Sequence, residues 1–188
     1  MRRRTLILAA ASLTAPFLPI RNAFSEETPT MPELVTHDVV VTRTFNASPE
    51  RVWRAWTEDA EVMKWWGPRP WTCPEARMDV REGGASIVSM KSPEGFEIWM
   101  RWDYTKVISS ERLEYTQNLC DRDGKLIEPT SIGMPAEFPR NVATVVTLVP
   151  EGDKTVVTIT EHTTTSKALM EGSLKGLEMV MDQMGQTF

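Results

Sequence analysis

The sequence predicts an α+β domain, with an antiparallel sheet of about seven strands, two short helices after the first strand and a long helix at the C-terminus. Three observations carry this expectation. Apolar and polar residues alternate through most of the middle of the chain, as half-buried strands require. A helix-start pattern, Ser48-Pro49-Glu50, follows the first such run. From about Ser166 the apolar period changes from two to three and four, the spacing of a helix.

The 188 residues suffice for one domain with a substantial core. The opening, MRRRTLILAAASLTAPFLPIRNAFSEE, reads as an export signal: an arginine cluster, an apolar run from Leu6 to Ile20, and Ala23-Phe24-Ser25 as a small-x-small cleavage site. Residues 1–25 are expected to be removed, and 26–36 to form a polar, proline-bearing linker before a domain over 37–188. The apolar run is shorter than the roughly 20 residues of a membrane span, and Pro16 and Pro19 interrupt it, so no stable anchor is expected. Arg3-Arg4-Thr5-Leu6-Ile7 resembles the twin-arginine type of signal, Sec export being the alternative, and the periplasm is the expected destination.

The chain carries 21 basic and 26 acidic side chains, a formal charge of −5. Cleavage after Ser25 removes four arginines and no acid, leaving 17 against 26 and a charge of −9. Such an acidic chain is a poor match for nucleic acid or an anionic membrane surface, both of which reward Lys and Arg. The only histidines are His37 and His162, and neither Cys73 nor Cys120 lies in a CxxC or Cys/His cluster, so no metal site and no cofactor are expected.

Strand one is HDVVVTRTF, with Val39, Val41 and Phe45 on one face. Ser48 then serves as N-cap, Pro49 takes the first helical position and Glu50 the positive first turn, while Val52, Trp53 and Trp56 give the helix its apolar side. A second helix, about Ala60 to Trp66, ends at Gly67-Pro68, since Gly suits a left-handed C′ residue and Pro cannot continue a helix. Trp65 and Trp66 are about 100° apart on such a helix, so one is expected to pack inward and the other to sit nearer a cavity mouth.

WTCPEARMDV, ASIVSMK and FEIWMRWDY follow as strands of a meander turned by Gly83-Gly84 and by Ser92-Pro93-Glu94-Gly95. In the third, Phe96, Ile98, Met100, Trp102 and Tyr104 point one way and Glu97, Trp99, Arg101 and Asp103 the other. RLEYTQNL is the next strand, and the long irregular passage DRDGKLIEPTSIGMPAEFPRN after it is a candidate lid, with Ile132, Met134 and Phe138 to bury. NVATVVTLV and KTVVTITEH make the last hairpin. The terminal helix carries one stripe of Met170, Leu174, Leu177, Met181, Met184 and Phe188, and its methionines, Met170, Met179, Met181 and Met184, read most simply as core filling. Gly172 and Gly176 interrupt it, at about 1 kcal/mol each relative to alanine, which signals either close backbone packing or room kept for something else.

This order of elements, together with RTF at Arg43–Phe45, SPERVWRAW at Ser48–Trp56, WWGP at Trp65–Pro68 and REGG at Arg81–Gly84, resembles the heat-shock chaperone ATPase activator homologue-like family. Gly176-Leu177-Glu178 and Asp182-Gln183-Met184 resemble that family's closing helix. The family belongs to the START-like (SRPBCC, or Bet v 1-like) superfamily. The resemblance implies a helix-grip fold, a curved antiparallel sheet gripping the long terminal helix, with a cavity between them suited in many members to an apolar small molecule. It implies no shared catalytic motif. The eukaryotic name-giver assists a cytosolic, ATP-driven chaperone, a role out of reach of an exported chain. With meander neighbours adjacent in the sheet, Cys73 and Cys120 are three strands, or about 14 Å, apart, beyond the roughly 7 Å between alpha carbons that a disulfide allows, so two free thiols are expected.

The candidate cavity residues are Trp66, Ile98, Met100 and Trp102, the tyrosines Tyr104 and Tyr115, and Met170, Leu174, Leu177 and Met181 of the terminal helix. Plain core packing is the competing reading of the same side chains. Glu161 and His162 are adjacent in a strand and so face opposite sides of the sheet, which prevents their acting as one acid/base pair. The function these features support is an exported protein binding a small apolar or amphipathic molecule. One alternative is a cyclase- or hydrolase-like enzyme using the same cavity, for which Tyr104, Tyr115, Arg101 and His162 are the candidate groups. Another is a protein-interaction module with an exposed apolar patch around Trp99 or Trp71.

Overall fold

The computed structural model describes residues 32–188; the expected export signal and residues 26–31 of the expected linker lie outside them. The elements run β1 (Leu34–Phe45), α1 (Pro49–Thr57), α2 (Asp59–Trp65), β2 (Ala76–Arg77), β3 (Ala85–Lys91), β4 (Glu97–Ile108), β5 (Arg112–Cys120), β6 (Val142–Glu151), β7 (Lys154–Ser166) and α3 (Lys167–Gly185). One seven-stranded sheet takes the order β1-β7-β6-β5-β4-β3-β2, every pair antiparallel. The two short helices after β1, the meander and the long closing helix together make the helix-grip α+β architecture.

Local chemistry explains the helices. Ser48 holds extended backbone angles and its hydroxyl accepts from the Arg51 amide, with Pro49 at the first helical position. At the end of α2, Trp66 is the C-cap and Gly67 follows with φ +103, a conformation natural to glycine. Gln183 of α3 then fastens this corner: its Nε2 donates to the carbonyls of Trp65 and Gly67, both at 2.9 Å, and its Oε1 accepts from the Arg69 amide at 3.1 Å. Ser166 ends β7 and caps α3 through the Leu169 amide.

Four expectations need correction. β1 begins at Leu34, inside the span expected as linker, because β7 extends to Ser166 and offers it partners, with a Thr36–Thr164 hydroxyl bond of 2.9 Å. The strand expected over WTCPEARMDV shrinks to Ala76–Arg77 and a single bridge from Thr72 to Lys91. Pro74 has no amide to give, and buried serines of β3 replace ladder bonds here: Ser89 Oγ accepts from the Glu75 amide and Ser86 Oγ from the Asp79 amide, each at 3.1 Å. Phe96 precedes β4 and is 43% exposed, so four residues of that strand, Ile98, Met100, Trp102 and Tyr104, face the core rather than five. Met179, expected as core filling, is 40% exposed.

The core centres on tryptophans. Trp56, Trp65 and Trp102 are fully buried and Trp66 nearly so; the ring centroids of Trp56 and Trp65, and of Trp66 and Trp102, are 4.8 Å apart. Trp65 Nε1 donates to the Ala55 carbonyl at 2.9 Å, tying α2 to α1, and Trp102 Nε1 donates to Gln117 Oε1 at 2.8 Å. Leu177, Val180, Met181 and Met184 of α3 close over this cluster, and Phe188 packs on Phe45 at 5.1 Å.

The turn before β3 offers a test of local geometry. Gly83 has φ +76 and open space where a Cβ would project, so Gly83→Ala is expected to destabilise by about 1–2 kcal/mol through backbone conformation alone. A Cβ on Gly84 would collide with the Asp79 carbonyl oxygen, so Gly84→Ala must displace backbone and destabilise more. Urea denaturation of both variants checks the order; equal losses would contradict it.

Candidate ligand cavity

The glycines of α3 differ in what they face. A Cβ on Gly185 would lie 3.3 Å from the Phe45 ring, whereas one on Gly172 would meet nothing within 4 Å. The space thus left is a cavity of about 340 Å³, largely apolar, between the N-terminal half of α3, the inner face of the sheet and the passage after β5. Trp66, Pro68 and Trp71 form one wall; Ile98, Met100, Gln117 and Leu119 form the floor on β4 and β5; Val142, Glu161 and Thr163 continue it across β6 and β7.

α3 turns a different face to this space from the one its apolar stripe suggests. Leu169, Gly172, Ser173, Gly176 and Val180, spaced by three and four, look into the cavity together with Leu177. Met181 is fully buried in the core, and Met170 and Leu174 are partly buried against it, where α3 rides along β1. Of the sequence candidates, the structure therefore brings together Trp66, Ile98, Met100 and Leu177 on the wall, and places Met170, Leu174 and Met181 off it. Trp102, Tyr104 and Tyr115 are off it too: the Trp66 ring covers Trp102, Trp102 stacks on Tyr115 at 5.1 Å, and Tyr104 lies beyond, its hydroxyl 3.0 Å from Ser86 Oγ. Among the lid candidates, Met134 and Phe138 line the cavity while Ile132, in a 3-10 turn at Pro129–Ile132, packs on the core instead. The bonds that fasten the lid passage include those between Asn118 and Asn141 and that of Thr165 Oγ1, which donates to the Glu137 carbonyl at 2.8 Å.

Glu161 is the residue that sequence reasoning missed. Inward positions of β7 run Val157, Ile159, Glu161, Thr163, so a carboxylic acid falls in a row otherwise filled by apolar or hydroxyl side chains; that parity was the available signal. Glu161 is 6% exposed and its Oε2 accepts from Ser173 Oγ at 2.9 Å, its one hydrogen bond among the described residues. Burial disfavours the charged form and pushes the carboxyl up to about 7, the serine bond opposing the shift only in part. Tyr115 is also pushed well up, by burial first and then by Glu161.

The polar groups proposed for catalysis do not converge. Arg101 projects from the outer face, paired with Asp103 at 2.8 Å and donating to the Gly124 carbonyl. His162 is on that face as well, 2.6 Å from Asp38. The outer face shows no bare patch at Trp99 either, because the guanidinium groups of Arg77 and Arg122 both lie 5.7 Å from its ring. Trp71 faces the cavity and packs edge-on against the exposed Phe96 at 6.1 Å. Cys73 and Cys120 are free and buried, and burial pushes each thiol up to about 11, leaving neither as a ready thiolate. Among the described residues no cluster of His, Cys, Asp or Glu is arranged to hold a metal, and no helix is long and apolar enough to cross a membrane.

A sheet closed by a C-terminal helix, with a largely apolar cavity between, defines a protein of the START-like, helix-grip class. Solved structures share the fold: a protein from Chromobacterium violaceum (TM-score 0.65, 23% identity, 80% of this chain and 95% of that one) and one from Nitrosomonas europaea (0.65, 24%, 79% and 92%). The chain belongs to the Activator of Hsp90 ATPase homolog 1-like protein family, whose profile matches residues 46–188. A structure from Aeromonas hydrophila described as a member of that family superposes with TM-score 0.60 at 17% identity, over 80% of this chain and 90% of that one. A search of curated proteins gave no match.

The sign of the Glu161 shift sets a pH dependence. Its folded value, about 7, lies above the ordinary 4.5, so the native state binds the proton more tightly than the unfolded chain, and stability is lost as pH rises from about 4.5 through 7. Glu161→Gln is expected to flatten this loss, gaining on the wild type between pH 5 and pH 8 by at most about 3 kcal/mol. Urea denaturation at the two pH values measures it; parallel behaviour of the two proteins would refute a buried carboxyl of raised proton affinity.

Proposed function

We propose that the protein is an exported binding protein that holds a small apolar or amphipathic molecule between its sheet and α3. One observation carries the reading: a largely apolar cavity of about 340 Å³ lies between α3 and the sheet, and the α3 face that meets it is built from Gly172, Ser173 and Gly176, the exposed Gly172 standing at its mouth. Glycine destabilises a helix interior by about 1 kcal/mol relative to alanine, and here no close backbone neighbour at Gly172 requires it. Space retained despite that loss, walled by Trp66, Trp71, Met100 and Phe138, suits a ligand whose apolar surface replaces the missing side chains. A volume of about 340 Å³ falls in the range of small-molecule sites, about 300–1,000 Å³.

A second reading, a cyclase- or hydrolase-like reaction in the same cavity, is favoured by Glu161 alone, since a carboxyl near 7 suits general acid or base work. Native mass spectrometry separates the two: a ligand recovered unchanged after prolonged incubation supports binding, and a ligand converted supports reaction.

Gly172→Ala is expected to raise stability by about 1 kcal/mol and leave room for a ligand, whereas Gly172→Phe is expected to obstruct the cavity mouth. An environment-sensitive apolar dye should therefore bind the wild type and the alanine variant and lose affinity at least about tenfold for the phenylalanine variant. Equal dye binding by a folded Gly172→Phe protein would remove the cavity as the site. Export predicts that the chain recovered from the periplasm begins at Glu26; an intact mass retaining residues 1–25 would count against it.

A further inference from the structure

Resting on the binding reading above, we propose that the cavity selects apolar molecules bearing a basic nitrogen, and that Glu161 is the group that receives it. The wall contains one ionisable side chain, Glu161, and no Lys, Arg or His. Ser173 occupies Oε2, and no protein donor within the described residues occupies the second oxygen, Oε1. Two residues further along the same face of β7, Thr163 is buried with its hydroxyl unpartnered, and Trp66 Nε1 in the facing wall is likewise buried without an acceptor. The cavity wall thus holds a few polar groups, Gln117, Asn118 and Ser173 among them, in an otherwise apolar surround.

Charge decides which ligand gains there. A carboxylate ligand would meet a second acid and no cation, losing the hydration of its charge without return. An uncharged ligand leaves Glu161 as it stands. An ammonium beside Glu161 forms a charge-assisted hydrogen bond in a low-dielectric site and relieves the unpaired acid at the same time, while Trp66, Trp71 and Phe138 accommodate the apolar body. The net negative charge of the chain, −5, favours approach of a cation over an anion. Titratable groups that face Glu161 from the surrounding elements are few. Tyr115 of β5 is raised far out of the neutral range; His37 of β1, paired in register with Thr163, faces the same side; β6 contributes Thr144 and α3 contributes Ser173, neither of which titrates.

The test uses displacement of an apolar dye from the full protein by three chains of equal length, decylamine, decanol and decanoate, at pH 8 and pH 5. Decylamine is expected to compete at about tenfold lower concentration than decanol at pH 8, with decanoate the weakest. That preference should shrink to within about threefold at pH 5, where Glu161 carries its proton while the amine remains charged. Glu161→Gln, its fold checked by circular dichroism, should lose the preference at pH 8 as well; if that variant does not fold, the wild-type pH arm alone decides. Binding of decanol with no preference for the amine, or with decanoate the tightest, overturns the inference and leaves the binding reading intact. Failure of the dye and all three chains to bind overturns both.

Discussion

The structure depends on one steric constraint: four indole rings must fit between two short helices and a sheet. Trp56 and Trp65 hold α1 and α2 to each other, and Trp66 bears on Trp102 of β4 with centroids 4.8 Å apart. A cluster of this bulk can be covered by the closing helix over only part of its length. Leu177, Val180, Met181 and Met184 make that cover, and Gln183 locks it by binding the carbonyls at the end of α2. Toward its N-terminus α3 turns Leu169, Gly172, Ser173 and Gly176 to the cavity. The cavity is the complement of the tryptophan cluster, and Trp66 belongs to both.

The same division explains why an acid survives in the interior. Glu161 sits beside the side of α3 that offers Ser173 rather than a hydrocarbon. A carboxyl surrounded by close-packed apolar groups would be far more costly than one next to an open volume and a hydroxyl donor. Buried polar groups without partners are uncommon in native structures, and two of the few here, Trp66 Nε1 and Thr163 Oγ1, belong to residues of this one wall.

How far the sequence could be read depended on which physical signal each residue obeyed. The order of strands and helices followed from period-two and period-four patterns, and the Ser48 cap and the Gly67 stop were legible because local chemistry determines them. The length of β2 was misread because the residues flanking it, Glu75 and Asp79, give their amides to serine hydroxyls of β3, which alternation does not encode. The site was harder. Its α3 wall is the glycine face, and a search for apolar residues selects the opposite requirement, the stripe of Met170, Leu174 and Met181 that grips β1 and the core. Tyr104 and Tyr115 have the right parity to face inward, but parity cannot tell that Trp66 and Trp102 stand in front of them.

The joint between β7 and α3 has no connecting loop: Ser166 is the last residue of the strand, the partner of Leu34 in the sheet and the cap of the helix. An insertion or deletion there would have to shift the helix along its axis or break the outermost pair of the sheet, and would turn the glycine face of α3 by about 100° for each residue gained or lost. By contrast, side-chain changes at Gly172 or Gly176 alter the free volume while leaving register and rotation untouched. Point substitution on one helix face can thus change the free volume without altering the length of chain across this joint.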